Sequence, residues 1–351
     1  MSLLKKLYTE HKGKSSDKWD IYISVYEDIL FNRRSNIINL LEIGVQNGGS
    51  LEIWSKYFEK AKNIIGCDIN PDCEKLEYDN PAIKVIIGNS STESIKSEIK
   101  SICAHFDLII DDGSHTSSDI IKSFFLYFPL IEDDGFYIIE DLHASYWDSF
   151  EGGLYYPYSS MAFLKKLADI TNHEHWGTDL TQKEFLKPFS DFYNCSPLNI
   201  MDYSTIHSVT FINSLCIIRK RKSEYNLIGS RNITGTEWKV FPHNKDSHGR
   251  TINVIPQNNK KWSRLNNFPE MEWENLHLNT LKLKKISDEQ QENNNISSAK
   301  MIEEIQRLQK ELDITKGIAE RASQENHALR NSKSWKLTAP LRTLMSKIKN
   351  K

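Results

Sequence analysis

From residue 36 to about residue 220 the chain alternates short, uniformly apolar runs with longer stretches that are apolar on one face only. NIINLLEIGV, NIIGCDI, IKVIIG, FDLIIDD and GFYIIED each have the length and composition of a strand. They do not alternate polar with apolar positions, which suits strands covered on both faces in a parallel sheet. Between them Ser50–Lys60, Glu93–Ser101 and Ser117–Phe128 carry helical patterning. Strand and helix in this alternation predict a doubly wound α/β domain. At its end, IHSVTFINSLCIIRK places β-rich runs on either side of Asn213-Ser214, a hairpin turn. The expected sheet is therefore seven-stranded and mostly parallel, closed by an antiparallel hairpin.

The pattern decays beyond residue 222, and residues 223–275 read as a linker or small appendage. A helical segment over 276–331 comes next. In it Met301, Ile305, Leu308, Leu312, Thr315, Ala319, Ala322, Asn326 and Leu329 recur at spacings of three and four, the seam of a short coiled coil. This predicts a homo-oligomer; a solitary helix folded back on the domain is the alternative. The tail, 332–351, is basic and free of acidic residues. Trp335, Leu337, Leu341, Leu344, Met345 and Ile348 share one face if Thr338 caps a helix opening at Ala339-Pro340. Such a helix suits peripheral contact with an anionic membrane surface, or packing on the coiled coil.

Composition narrows the class. With 45 Lys and Arg against 47 Asp and Glu, the net charge of −2 carries no nucleic-acid signature. Cys67, Cys73, Cys103, Cys195 and Cys216 are scattered and form no CxxC pair, so reduced thiols in a cytoplasmic protein are expected. The N-terminus lacks the apolar core of a secretory signal, and no run is long enough to span a membrane.

The chemistry gathers where strands end. LLEIGVQNGGS turns from the first strand into a helix through Glu42, Gly44, Gly48 and Gly49, where backbone can approach a ligand closely. Neither the phosphate-loop nor the dinucleotide pattern is matched. Asp68 ends the second strand, where an acid can accept both hydroxyls of a ribose; capping the turn before Pro71 is the alternative. A glycine turn and this acid, without a phosphate cradle, favour S-adenosylmethionine over NAD or ATP. On the same sheet edge, FDLIIDDGSH ends in Asp111 and Asp112, and FYIIEDLH in Glu140 and Asp141. Carboxylates converging without partners would raise one another's pKa, and a divalent cation resolves this. Oxygen ligands favour Mg²⁺, with Mn²⁺ as a substitute. Asp112, Glu140 and Asp141 are its expected ligands, and His115 is placed to take a proton from a hydroxyl that the cation polarises. Taken singly, the acids could be helix caps and His115 a surface residue. The aromatics Tyr146, Trp147, Tyr155, Tyr156 and Tyr158 come after these acids and could cover an acceptor or simply pack; His143, Tyr146 and Trp147 are the acceptor-side candidates.

These motifs, from about Ser16 to Lys220, resemble the class I S-adenosylmethionine-dependent methyltransferases. They look closest to the metal-dependent sugar O-methyltransferases of macrolide biosynthesis, the macrocin and mycinamicin type. SSDKWDIYISVYEDIL is similar to a segment that borders the active site in that family. The resemblance implies a Rossmann-like methyltransferase domain over 1–222. It also implies cation ligation by Asp112, Glu140 and Asp141, His115 as general base, and cofactor binding by Glu42, Gly44, Gly48, Asp68 and Asp111.

Two departures change the picture. Where the family has an acid after the third strand, this chain has Asn89, which can still donate and accept hydrogen bonds at the cofactor. The tail motif SKSWKLTAPLR is similar to segments of bacterial surface-polysaccharide enzymes, which moves the expected acceptor toward a sugar of O-antigen or capsule. A macrolide sugar or small diol is the alternative substrate, and a non-catalytic coiled-coil scaffold the alternative role.

Overall fold

The computed structural model describes residues 1–195, 201–241, 245–260, 263, 307–310 and 316. The chain divides into two compact units, Met1–Asn267 and Phe268–Lys351. In the second, Arg307–Lys310 and Lys316 are helical; the rest of the heptad seam and the whole basic tail lie outside the described residues.

The first unit is built on a seven-stranded sheet ordered β3-β2-β1-β4-β5-β7-β6. Its strands are β1 (Asn39–Ile43), β2 (Asn63–Asp68), β3 (Ile83–Ile87), β4 (Phe106–Asp111), β5 (Ile131–Ile139), β6 (Ile206–Ile212) and β7 (Leu215–Lys220). The strands β1 to β5 pair in parallel. Strand β7 runs antiparallel between β5 and β6, and the hairpin turns at Ser214 in the left-handed region. Leu40, Leu41, Ile64, Ile65, Leu108, Ile109, Ile110, Ile138 and Ile139 are fully buried. Helices on both sides of the sheet account for the unalternating runs.

The helices are α1 (Leu3–Glu10), α2 (Asp20–Leu30), α3 (Gly49–Tyr57), α4 (Glu93–Ile102), α5 (Ser117–Tyr127), α6 (Ser160–Ile170) and α7 (Gln182–Phe192). Side-chain caps start many of them: Ser2, Thr92, Thr116, Ser159 and Thr181 each accept a backbone N–H of the first turn. Strand β5 begins at Ile131, earlier than the apolar run starting at Gly135 suggests. Its opening stretch, Glu132-Asp133-Asp134, is polar, and the ladder with β4 shifts register between Phe106 and Leu108. Asp134 takes a positive φ of 68° there and binds Arg33 and Arg219.

The segment after β7 is laced onto this unit. Ile228 N donates to Glu174 Oε1 at 2.8 Å, Gln257 N to Gly177 O at 2.6 Å and Asp179 N to Asn258 Oδ1 at 2.9 Å. Among the described residues no helix is long and apolar enough to cross a membrane.

Strand register brings the chemistry-bearing residues to one level. Ile43 pairs with Cys67 on one side and Asp111 on the other, and Asp111 pairs with Ile139. The carboxyl ends of β1, β2, β4 and β5 therefore stand together, with Gly44, Asp68, Asp112 and Glu140 along one edge. Strand order reverses between β1 and β4, the place where open α/β sheets bind ligands.

Candidate functional site

Gly44 leaves β1 at φ 92°, and a Cβ on it would lie 1.9 Å from the carbonyl oxygen of Asp112. Only glycine lets these strand ends meet. The turn beyond is tied to β2, because Asp68 Oδ2 accepts from Val45 N at 2.8 Å and from Gln46 N at 2.9 Å. Asp68 Oδ1 accepts from Asn70 N at 2.8 Å, and it is Asn70 that caps the turn Pro71–Lys75. A cleft of about 530 Å³ opens above these ends, walled by Gly44, Asp68, Asn89, Asp111, Asp112, His115, Glu140 and Asp141. Glu42, Gly48, His143, Tyr146 and Trp147 stand off this wall. Glu42 is buried and accepts from Ser50 Oγ at 2.7 Å, while the Gly48 carbonyl accepts from Tyr78 Oη at 3.2 Å.

At the far side of the cleft, ligand atoms of Asp112, His115 and Asp141 all lie within 4.8 Å of one another. His115 Nε2 is 3.9 Å from Asp112 Oδ1 and 3.7 Å from Asp141 Oδ2. His115 and Asp141 take φ of 59° and 56°, a conformation that costs L-residues energy and persists where surroundings dictate it. Thr116, not Asp111 or Asp112, caps α5, so the cap reading does not account for those acids. Buried Asp111 accepts from Tyr137 Oη at 2.9 Å, and burial pushes its carboxyl up to about 7.

Glu140 is placed differently. It is buried, and its Oε1 is 2.8 Å from Lys18 Nζ and accepts from Tyr26 Oη at 2.6 Å. Lys18 Nζ also contacts Asp112 Oδ2, and Glu42 Oε1 at 3.5 Å. Burial alone would make this ammonium easier to deprotonate, but Glu140, Asp112 and Glu42 outweigh it and hold the charge. Burial likewise raises Glu140 and Glu42 above the usual carboxylate range, with Lys18 opposing. The acids that the sequence left unpartnered thus have a cation supplied by the chain itself. The resemblance of SSDKWDIYISVYEDIL placed this segment at the border of the site, but gave Lys18 no role of its own. Tyr22 Oη and Trp19 Nε1 reach Asp141 Oδ1 at 2.7 and 3.1 Å and were missed as site residues for the same reason.

The aromatic cluster divides. Tyr158 is core, stacked on Phe192 at 4.1 Å, and Tyr155 is 92% exposed. His143 lies between Trp19 and Trp147, with ring centroids at 6.1 and 5.0 Å, and its Nδ1 is 2.6 Å from Ser214 Oγ. Trp19, Trp147 and Tyr146 leave large exposed faces, and Trp19 is bonded to Asp141.

The donor set fits a hard divalent cation. Asp112 and Asp141 each turn one oxygen toward a shared centre with His115 at its rim, which oxygen-seeking ions accept. Glu140 is not in that group, and its Oε1 is held by Lys18 and Tyr26. The β1–β3 side of the cleft, with the close glycine backbone, Asp68 and Asn89, and with Asp111 next to it at the end of β4, has the acceptors and donors that a nucleoside needs.

No family model matches the chain. It is 32% identical over 171 residues to an 8-demethyl-8-α-L-rhamnosyl tetracenomycin-C 2'-O-methyltransferase of Streptomyces olivaceus, across 46% of this chain and 44% of that one. It is 33% identical over 157 residues to a mycinamicin VI 2''-O-methyltransferase of Micromonospora griseorubida, across 42% and 38%. The chain thus matches less than half the length of these curated relatives. Among solved structures it is similar to the MycE methyltransferase of the mycinamycin pathway in complex with Mg and SAH, at TM-score 0.51 and 25% identity, over 63% of this chain and 54% of that one. The complex of the same enzyme with Mg, SAH and mycinamycin VI superposes equally, at TM-score 0.51 and 24% identity. The first unit has the Rossmann-like methyltransferase fold.

Proposed function

We propose that the chain is an S-adenosylmethionine-dependent, divalent-cation-dependent O-methyltransferase acting on a sugar hydroxyl. The observation that carries this reading is the convergence of Asp112, His115 and Asp141 at one end of a cleft whose other end is the Gly44–Asp68 turn. The relatives support it, being sugar O-methyltransferases by name, one of them solved with Mg and SAH.

When bound, S-adenosylmethionine supplies an already activated methyl group and Mg²⁺, or Mn²⁺, a Lewis-acid contact for neighbouring acceptor oxygens. The chain does the rest. Gly44, Asp68, Asn89 and Asp111 would hold the nucleoside end, and Asp112 and Asp141 would hold the cation, with Glu140, paired to Lys18, as the third expected ligand. Methyl transfer to a hydroxyl releases that hydroxyl's proton, and His115 Nε2 is the base placed to take it. Most of the gain comes from alignment, since the methyl group needs no further activation. Trp19, His143 and Trp147 offer apolar faces on the acceptor side.

A glycoside acceptor of the kind the relatives' names print is favoured by likeness. A glycan of O-antigen or capsule is favoured by the tail motif, and with it go assembly through the heptad seam and membrane contact through residues 332–351. Labelled S-adenosylmethionine offered with rhamnosides, other glycosides and a catechol tests the reading. Label on a glycoside supports it. Label on the catechol alone points to a small diol, and no label despite cofactor binding points to a scaffold.

A further inference from the structure

The stretch Lys18–Tyr26 meets the three strand-end acids one by one, and it always takes the same share of each. Asp112 gives Oδ2 to Lys18 Nζ and keeps Oδ1 toward His115 Nε2, 3.9 Å away. Asp141 gives Oδ1 to Tyr22 Oη at 2.7 Å and Trp19 Nε1 at 3.1 Å, and keeps Oδ2 toward the same nitrogen, 3.7 Å away. Glu140 gives Oε1 to Lys18 and Tyr26. Positions 18, 22 and 26, with 19 beside the first, repeat at three and four residues and so lie on one face of α2 and its entry.

Local preference does not explain this arrangement. Trp19 is the N-cap of α2, where Ser, Thr, Asp or Asn is favoured, and it makes no side-chain cap bond. Its indole N–H is spent on Asp141 instead. Tyr22 is 1% exposed, yet its hydroxyl leaves the core to reach Asp141, and Asp141 N returns a bond to it at 3.1 Å. Residues that break a local rule in order to orient an acid are the signature of a site set up before its ligand arrives.

We propose that Lys18, Trp19 and Tyr22 are positioning residues of the cation site: each fixes the outer oxygen of an aspartate so that the inner oxygens of Asp112 and Asp141 face one centre. This rests on the reading of that centre as a cation site. Partners of this kind orient carboxylate ligands, and losing one weakens metal binding about 10- to 100-fold. Asp112 takes one such bond and Asp141 two, and conservative substitutions remove the two donors to Asp141 one at a time. Lys18 is a poor first test, because removing it strands Glu140 and Glu42 in the interior.

The experiment titrates the full-length chain with Mn²⁺, free Mn²⁺ being read by electron paramagnetic resonance, for wild type, Tyr22→Phe, Trp19→Phe and Asp141→Asn. Affinity for S-adenosylhomocysteine is measured on the same samples. The proposal expects saturable binding in wild type, its loss in Asp141→Asn, and binding about 10-fold weaker in Tyr22→Phe and Trp19→Phe. S-adenosylhomocysteine should bind all four alike, which a general loosening of the fold would not allow. Wild-type Mn²⁺ affinity in both Tyr22→Phe and Trp19→Phe overturns the positioning role and leaves the cation reading standing. No saturable Mn²⁺ binding in wild type overturns both.

Discussion

Lys18 Nζ stands 2.8 Å from Glu140 Oε1, and both side chains are buried. The pair joins the N-terminal segment to the end of β5 across more than a hundred residues of chain. The same ammonium contacts Glu42 at the end of β1 and Asp112 at the end of β4. One positive charge therefore ties together the edge of the sheet on which the proposed chemistry depends. A buried pair of this kind adds little against an apolar substitute, but breaking it leaves a charge with no water and no partner.

Lys18→Met should cost about 3–5 kcal/mol of folding stability, because Glu140 and Glu42 lose their cation. Adding Glu140→Gln to Lys18→Met should recover part of that loss, since the stranded charge is then removed. Urea denaturation of wild type, both single variants and the double variant measures the coupling; additive losses would show that the pair is not linked.

His115→Ala should slow methyl transfer about 10²- to 10⁴-fold, the usual worth of a positioned base. Asp112→Ala should nearly abolish it. Both should retain S-adenosylhomocysteine binding, as the Gly44–Asp68 end of the cleft is untouched. Initial rates with labelled methyl donor and calorimetric titration with S-adenosylhomocysteine check the two halves. Equal loss of cofactor affinity in both variants would remove these roles.

Asp134 provides a pH test away from the site. Burial tends to raise its carboxyl, but hydrogen bonds and charge from Arg219 and Arg33 prevail and hold it below the ordinary value. Its contribution to stability is thus present above the unfolded pKa of about 3.9 and is lost as pH falls through the lower folded value. Asp134→Asn keeps a side chain that tolerates the positive φ of 68° while removing the charge. Wild type should be the more stable at pH 6, and the difference should shrink on acidification below pH ~4. Thermal melts across that range decide; a difference independent of pH would assign the effect to packing.

The sheet was legible because its strands are buried on both faces, and such runs as FDLIIDD and NIIGCDI stand out from any helix in length and composition. That Asp112, His115, Glu140 and Asp141 share one sheet edge was legible because charged residues at the ends of apolar runs must lie there, but the pairing of Glu140 with Lys18 was not. The start of β5 was hidden, since Glu132-Asp133-Asp134 carry no strand pattern, and Asp134 is held by Arg33 and Arg219 from other elements. Lys18 was hidden for a similar reason. Its partners lie 24, 94 and 122 residues away, and the resemblance of SSDKWDIYISVYEDIL to a segment bordering the site did not say which side chains would turn inward. Asp68 shows the middle case: the acid was placed at the cleft, but its hold on Val45 and Gln46 depends on a backbone turn that sequence spacing alone does not draw.

The central claim is that Asp112 and Asp141, with His115 beside them, hold a divalent cation that the reaction requires. It is tested most directly by following labelled methyl transfer to a glycoside with neighbouring hydroxyls, first in EDTA and then after excess Mg²⁺ is added back. No transfer in chelator and full recovery with Mg²⁺ is the predicted result. Transfer at the full rate in chelator would contradict it.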